Sequence, residues 1–389
     1  MSTYDPMAFH LETHAAVTWQ VPPAVAAVLG PGPYTAAPLT HNQNNRATGG
    51  IDRVQGPDGN AVRKRLTPSG TGTARWSTSD DPRHWNHWRR EYLAYSSGFA
   101  AGVYADAGLG APALLATEEH PDGGVTLWLE DVTGTPGPQW STADLADLAH
   151  RLGAAQAACA ARPPEQPWLS RRWLRHYLAA VPEPGTVPNW SHPQAVAAWP
   201  EPLRADLAAL AADPGQLLAL AEAAPQTLCH LDLWPMNLIA AADRTVLLDW
   251  SFTGSGAIGE DISNLIVDSV ADGLIDPSRL PEIAAELPEA YLRGLRSGGW
   301  KGSDTAVRTA IAATGAAKYS WLAPAMLRRL DQDATARVYD RRSPAEILDQ
   351  RLGLLTLVAD WARAALGRPA RHGEWSGPPP PSQQGTPAP

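Results

Sequence analysis

The side chains best suited to chemistry lie in one apolar stretch of the chain. His230, Asp232, Asn237 and Asp249 are separated by Leu, Ile, Val and Trp residues, in a segment typical of a protein interior. A buried polar group costs free energy unless it is paired, so these residues need partners or a ligand. Converging carboxylate and amide oxygens are typical ligands of a hard divalent cation such as Mg²⁺.

Two short strands are predicted to bring these residues together. Residues 238–240 and 245–248 are rich in strand-forming side chains, and 242–244 supplies a turn between them. A loop before the hairpin would then carry Asp232 and Asn237, and the second strand would return Asp249 beside them. The alternative is an ordinary buried hairpin with incidental polar residues.

The spacing H-x-D-x-x-x-x-N, followed by a later Asp, resembles the catalytic loop and metal-binding aspartate of protein-kinase-like phosphotransferases. No Arg follows His230, and Asp249-Trp250 stands where protein kinases have Asp-Phe-Gly. In this the chain is similar to the small-molecule branch of aminoglycoside phosphotransferases, choline kinases and fructosamine kinases. The resemblance implies that Asp232 accepts the proton of an attacking hydroxyl and His230 braces the loop. It also implies that Asn237 and Asp249 hold Mg²⁺ against the phosphates of ATP.

A lysine and a glutamate upstream extend the resemblance. Residues 61–66 alternate apolar and basic side chains, which predicts a half-buried strand with Lys64 on its apolar face. The aromatic spacing after Pro82 predicts a helix that carries Glu91. The resemblance implies that Lys64 binds the α- and β-phosphates and that Glu91 pairs with it. The alternatives are a surface lysine and a solvated helix carboxylate.

Two further nucleotide contacts follow from the resemblance. Thr48, Gly49 and Gly50 form a predicted turn that would cover the phosphates, since glycine lets backbone N–H groups approach them closely. Residues 129–132 correspond to the hinge between lobes, where backbone groups of Glu130 and Val132 would meet the adenine.

The order of predicted elements indicates an α+β fold with two lobes, an N-terminal antiparallel sheet lobe and a C-terminal helical lobe, and the resemblance implies that this fold is protein-kinase-like. After a short helix at 23–29, strands dominate 34–66 and 112–130. Helices are predicted from 141 onward, at 141–152, 170–180, 201–223, 260–272, 281–297, 304–330 and 344–366. We expect a nucleotide-binding lobe over 1–132, a helical lobe with the acceptor site over 133–367, and a disordered or extended proline-rich tail over 368–389.

Two other motifs compete with this interpretation. Residues 254–259 spell G-x-G-x-x-G, the dinucleotide fingerprint, but four residues separate them from the preceding strand and no second parallel strand follows. We expect these glycines to form a loop before a helix in which Asp261 has a supporting role. Cys229 next to His230 raises a nucleophilic pair, yet neighbouring side chains usually point apart.

Bulk properties restrict the partners. A net charge of −9 argues against nucleic acid, because phosphate backbones attract basic surfaces. No signal peptide or membrane-spanning run is apparent, and two cysteines make neither a disulfide framework nor a zinc site, so we expect a cytoplasmic protein. The oligomeric state is left open.

The acceptor is predicted only as a class of small molecule with a hydroxyl group. Residues 249–299 hold nine acidic residues against three arginines, which favours a cationic acceptor such as an aminoglycoside or another antibiotic. Sixteen tryptophans leave room for an aromatic pocket, with Trp321 or Trp361 as candidate lining. A choline, sugar or amino-alcohol kinase is the second interpretation, and a kinase-like binding protein without turnover is the third. The absence of an Ala-Pro-Glu segment after Asp249 argues against a protein kinase.

Overall fold

Strands of the computed structural model form three sheets over the residues it describes, which are 15–17, 19–42, 45–68, 76–180, 187–332 and 343–371. The strands are β1 (Ala15–Ala16), β2 (Thr35–Pro38), β3 (Thr48–Gln55), β4 (Asn60–Leu66), β5 (Leu109–Gly110), β6 (Leu114–Glu119), β7 (Val125–Glu130), β8 (Thr135–Pro136), β9 (Gln226–Cys229), β10 (Leu238–Ala240), β11 (Thr245–Leu247) and β12 (Gly254–Ala257). Residues 372–389 of the predicted tail lie outside the described ranges. Within those ranges, no helix is long and apolar enough to span a bilayer.

The largest sheet is antiparallel, with strand order β1-β2-β3-β4-β7-β6. β7 lies between β4 and β6, which explains why all but its last residue are buried. In β4, Lys64 and Leu66 are buried and the arginines between and before them are half-buried, as the alternation predicts. The predicted antiparallel sheet lobe is therefore present, with a lysine on its inner face.

Helices make up most of the chain after residue 141, as predicted. They are numbered with those of the sheet lobe as α1 (Pro23–Leu29), α2 (Arg90–Ser96), α3 (Phe99–Gly102), α4 (Thr142–Ala161), α5 (Trp173–Ala180), α6 (Pro193–Ala198), α7 (Glu201–Ala212), α8 (Gly215–Ala223), α9 (Glu260–Ala271), α10 (Leu280–Ser297), α11 (Asp304–Lys318), α12 (Leu322–Gln332), α13 (Pro344–Gln350) and α14 (Leu352–Ala365).

The helical lobe is centred on α4 and α10, which pack closely together. α4 begins with a capping box, in which Ser141 and Asp144 satisfy each other's backbone N–H groups. Glycine permits the close approach: a Cβ on Gly294 would lie 1.9 Å from the carbonyl oxygen of His150, and one on Gly153 would lie 2.4 Å from that of Tyr291.

Several predicted boundaries are wrong for local reasons. The helix expected from Pro82 begins only at Arg90, because Asp81 and His84 side chains accept from nearby backbone N–H groups and hold 81–86 in turns. The helix expected over 201–223 is two helices, since Asp213-Pro214 interrupts it. The helices expected over 304–330 and 344–366 are also each divided, and α6 was not predicted.

The glycine-rich segment 254–259 is also different from the prediction. Its first four residues form strand β12 and pair antiparallel with β9, with Gly254 opposite Cys229. The expectation of a loop is therefore wrong, and the antiparallel pairing excludes the dinucleotide fold at this position, which requires a parallel βαβ unit.

Candidate active site

The loop from His230 to Asn237 connects β9 to β10 and is held from below by α9. Both side-chain oxygens of Asp261 accept backbone hydrogen bonds, from His230 N and Leu231 N at 2.8 Å each. Gln156 Nε2 donates to the same carboxylate at 2.8 Å. Leu231 has φ +68°, a left-handed conformation that costs free energy in a non-glycine residue. Asp261 thus stabilises the strained backbone immediately before Asp232, which agrees with the supporting role expected of it.

The contribution of the Asp261 carboxylate to stability can be tested by substitution. We expect Asp261→Asn to lower the free energy of unfolding by about 1–3 kcal/mol, because the amide can no longer accept from two buried N–H groups and its own NH₂ faces one of them. Urea unfolding at equilibrium measures the change. Asp276→Asn is the matched control, since Asp276 accepts from Ser278 N at an exposed turn where asparagine also accepts. Equal stability of Asp261→Asn and wild type would show that Asp261 does not stabilise the loop.

Asp232 and Asn237 lie side by side in the loop. Asn237 Nδ2 donates to the carbonyl oxygen and to Oδ2 of Asp232, both at 2.9 Å. Because the amide nitrogen is committed to Asp232, the amide oxygen of Asn237 points away from it and can accept or bind a cation. The loop therefore offers a carboxylate and an amide oxygen at neighbouring positions.

The environment of Asp232 suits a base that works near neutral pH. Burial raises the pKa of its carboxyl, and the negative charge of Asp249 raises it further. The Lys318 ammonium and the hydrogen bond from Asn237 oppose the rise without cancelling it. A carboxylate with a raised pKa accepts a proton more readily than an ordinary aspartate.

Asp249 follows β11 and reaches the loop through the hairpin. Leu248 N donates to the carbonyl oxygen of Asn237 at 2.9 Å, which holds Asp249 next to that residue. Asp249 has φ +56°, a conformation that aspartate tolerates better than most residues, and its side chain is 31% exposed. Burial acts against its charge, but Lys64 and hydrogen bonds from Ser251 and Lys64 prevail and lower its pKa.

Lys64 joins the sheet to this hairpin and to α2. Its Nζ lies 2.7 Å from Oε2 of Glu91 and 3.1 Å from Oδ2 of Asp249, and the Lys64 and Glu91 side chains are 5% and 2% exposed. Burial opposes the lysine's charge, yet the two carboxylates outweigh it and raise the pKa of Lys64. Burial also raises the pKa of Glu91 to about 7 against the pull of Lys64. We take the pair as ionised, since two carboxylates lie within 3.1 Å of one ammonium.

Of the other predicted nucleotide contacts, the turn at Thr48–Gly50 differs in the structure. Thr48, Gly49 and Gly50 are not a turn; they begin β3 and pair with the end of β4 across a bulge, after a turn at residues 46–47. The side chain of Glu130 accepts from Arg244 at 2.8 Å and from Ala113 N at 2.9 Å, so it ties the sheet to the β10–β11 hairpin. Val132 is half-buried in the connection between β7 and β8.

The Asn237 and Asp249 oxygen atoms would suit a divalent cation. Asn237 contributes an amide oxygen and Asp249 a partly accessible carboxylate, and hard cations such as Mg²⁺ prefer these donors. Mg²⁺ typically takes one or two protein oxygens together with nucleotide phosphates and water. The residues present therefore fit the ion that the resemblance implies.

His230 and Cys229 are both fully buried. The His230 ring packs edge-on against Trp250 with centroids 5.0 Å apart, and burial lowers the pKa of the ring. Burial also raises the pKa of the Cys229 thiol well above its usual range, and Sγ lies 3.6 Å from the carbonyl oxygen of Ala257. A buried thiol that resists ionisation does not act as a nucleophile.

The acidic residues behind the charge argument for a cationic acceptor are in part bonded to protein groups. Asp268 accepts from Tyr319 Oη at 2.5 Å, Glu282 from Thr142 Oγ1 at 2.9 Å and Glu289 from Arg308 Nη2 at 2.7 Å. Asp272 lies 3.8 Å from Arg351 Nη2. A hydrogen bond from a hydroxyl leaves the carboxylate charged, and Glu282 and Glu286 are exposed, so the negative surplus of this stretch remains.

The aromatic lining expected of the acceptor pocket is wrong in part. Trp361 is fully buried, and its ring packs so closely on α11 that a Cβ on Gly315 would lie 2.3 Å from it. Trp321 is half-buried against the main core. Sequence analysis missed Lys318, whose Nζ lies 3.5 Å from Asp268 and 5.2–5.9 Å from the ring centroids of Trp173, Tyr177 and Tyr319. Its rarity as one of three lysines was the only available signal.

Comparison with known proteins agrees with this arrangement. The sequence profile of the phosphotransferase enzyme family matches residues 99–301, just over half of the chain. No curated protein matches the sequence. A choline/ethanolamine kinase family protein from Mesorhizobium loti is similar in structure, with 17% identity, a TM-score of 0.50, and coverage of 89% of this chain and 96% of that one. An amicoumacin kinase solved with AMP-PNP, Ca²⁺ and Ami has 15% identity, a TM-score of 0.51, and coverage of 84% and 88%. At these identities the likeness concerns the protein-kinase-like fold.

Proposed function

The chain belongs to the phosphotransferase enzyme family, and we propose that it transfers the γ-phosphate of ATP to a hydroxyl group of a small molecule. One observation carries the proposal. Lys64 lies between Glu91 and Asp249, and Asp249 is held beside the Asp232–Asn237 pair, which supports an assignment of these five residues to phosphoryl transfer.

We propose the following roles. Lys64, kept in place by Glu91, binds the α- and β-phosphates, and the start of β3 at Thr48–Gly50 lies over them. Backbone groups of Glu130 and Val132 meet the adenine. Asn237 and Asp249 hold Mg²⁺, which neutralises phosphate charge when bound. Asp232 orients the acceptor hydroxyl and takes its proton, and His230 braces the loop. Little covalent work is asked of the protein, because positioning and charge neutralisation supply most of the rate.

We propose that residues 1–132 act as the nucleotide lobe and residues 133–367 as the helical lobe that holds the acceptor. The first acceptor class to be tested is an aminoglycoside or another antibiotic, because the family includes enzymes of that kind by resemblance. Its support is the family resemblance together with the acidic surplus of 249–299. Choline, sugar and amino-alcohol acceptors are tested beside it.

The test is transfer of labelled γ-phosphate from Mg-ATP by the purified protein to aminoglycosides, nucleosides, sugars and amino alcohols. Asp232→Asn is assayed beside wild type, and Asp243→Asn is its matched control. Asp243 lies in the hairpin that follows the loop, but its side chain is 71% exposed and pairs with its neighbour Arg244. Transfer to one class by wild type and control names the acceptor. AMP-PNP binding without any transfer supports a non-catalytic kinase-like protein, and absence of nucleotide binding overturns the proposal.

A further inference from the structure

Arg90, the first residue of α2, is fully buried and makes an unusual set of hydrogen bonds. All five N–H donors of a guanidinium can bond at once only where acceptors surround its plane. Here five backbone carbonyl oxygens do so, within 2.6–3.0 Å of the guanidinium nitrogens. They belong to Pro82, His84, Trp85, Trp168 and Ser251.

These carbonyls come from three separate parts of the chain. Residues 82–85 precede α2, Trp168 precedes α5 in the helical lobe, and Ser251 lies two residues after Asp249. Trp85 packs beside them, with its ring centroid 5.7 Å from that of Phe252 and 6.4 Å from that of Trp173. One side chain therefore fastens the start of α2 to the helical lobe and to the loop that carries Asp249.

A continuous series of contacts connects Arg90 with the candidate active site and returns to Arg90. Arg90 is followed directly by Glu91, which pairs with Lys64, and Lys64 pairs with Asp249. Ser251 N lies 3.4 Å from Asp249 Oδ1, and the carbonyl oxygen of Ser251 returns to Arg90 Nη1 at 3.0 Å. The contacts of Arg90 with Ser251 thus link the position of Glu91 to that of Asp249. Lys64 lies between these two carboxylates.

We propose that Arg90 is a positioning residue for phosphoryl transfer, which fastens α2 and the Asp249 loop to the helical lobe so that the Lys64–Glu91 pair is assembled before nucleotide binds. The inference rests on the proposed function. In protein kinases the equivalent pair is controlled by the position of the helix that carries the glutamate. In this chain the Arg90 guanidinium ties that helix to the helical lobe, and Lys64 is supplied by the sheet.

Packing after α2 supports this assignment of the helix. Phe99 stacks edge-on against Trp168 with centroids 5.0 Å apart, and Tyr104 lies 5.8 Å from Trp250. Tyr104 Oη also donates to the carbonyl oxygen of Leu228 at 2.8 Å. The segment from Arg90 to Tyr104 therefore contacts the helical lobe at its beginning through the guanidinium and at its end through Phe99 and Tyr104.

The first experiment compares Arg90→Lys with Arg204→Lys. Arg204 also donates to backbone carbonyls, those of Trp199 and Trp190 at 3.2 Å each, but it lies in α7. Lysine keeps the charge and loses the planar fork. Measured where both variants are fully folded by circular dichroism, kcat of Arg90→Lys should fall about 10- to 100-fold, with kcat/KM for ATP falling equally, as expected of displaced catalytic groups. Arg204→Lys should retain wild-type kcat, and a folded Arg90→Lys with wild-type kcat overturns the proposal.

The second experiment needs no variant and no turnover. Hydrogen exchange of the wild-type chain is followed with and without AMP-PNP and Mg²⁺. We expect amides of 90–104 and 250–253 to be protected like α4 and α10 in both conditions, while strands β3 and β4 gain protection with nucleotide. If the amides of α2 instead exchange as fast as those of the sheet and gain protection only with nucleotide, the proposed role of Arg90 is wrong. This result is independent of the acceptor, so a failure to find transfer does not affect it.

Discussion

Asp232→Asn is expected to lower kcat by about 10²- to 10⁴-fold, the range in which a positioned general base contributes. The asparagine oxygen can still accept from Asn237 Nδ2, which now bonds Asp232 Oδ2 at 2.9 Å, so the loop should keep its shape. What is lost is the ability to take a proton from the acceptor. Steady-state transfer to whichever acceptor wild type uses measures the loss, and calorimetric titration with Mg-AMP-PNP should give wild-type affinity.

The same substitution is expected to raise the stability of the folded chain although it lowers kcat. The folded-state pKa of Asp232 is raised by burial and by Asp249, above the value the group has in the unfolded chain. Wild type therefore has the full contribution of this group below the unfolded pKa and loses stability as the pH rises towards the folded pKa. Asparagine does not titrate. We expect Asp232→Asn to unfold at a higher temperature than wild type at neutral pH, with the difference decreasing on acidification.

These two outcomes together separate chemistry from misfolding. A variant that loses activity because it is misfolded also loses stability, whereas a removed base loses activity and gains stability at neutral pH. Asp243→Asn should change neither property, because its exposed ion pair with Arg244 contributes little. An Asp232→Asn protein that is folded, binds Mg-AMP-PNP and retains wild-type kcat would show that another group takes the proton.

The parts of the site that sequence analysis predicted are those recorded in local patterns. The alternation in β4 places Lys64 on the buried face because side-chain direction in a strand has a period of two. The hairpin 238–247 brings Asn237 and Asp249 together because two short apolar runs flank a polar turn. The fold class follows from the order of strands and helices together with these motifs.

The parts that were missed depend on contacts between distant segments. The acceptors of Arg90 are backbone carbonyls, which every residue carries, so nothing in residues 82–85, 168 or 251 marks them as partners. Strand β12 contains two glycines, which have low strand propensity, and forms because β9 offers it an edge. The acidic surplus of 249–299 was visible in the sequence, but its partners on other helices were not.

Asp249→Asn is expected to reduce the Mg²⁺ dependence of nucleotide binding and to lower kcat by about 10³-fold, since a cation held against the phosphates stabilises the transition state by several kcal/mol. Asparagine is the substitution of choice because Asp249 has φ +56°, a conformation that asparagine tolerates and alanine does not. Lys64 loses the partner at 3.1 Å but keeps Glu91 at 2.7 Å, so it should remain in the cleft.

Thermal unfolding with AMP-PNP, in the presence and absence of Mg²⁺, measures the effect through linkage between binding and stability. Wild type and Asp232→Asn should show a larger increase in unfolding temperature with Mg²⁺ than without it. Asp249→Asn should show a clearly smaller difference between the two conditions than wild type, because nucleotide contacts to Lys64 persist while the cation's carboxylate is absent. The opposite pattern, with the Mg²⁺ effect lost in Asp232→Asn and kept in Asp249→Asn, would require that the two aspartates exchange the roles proposed for them.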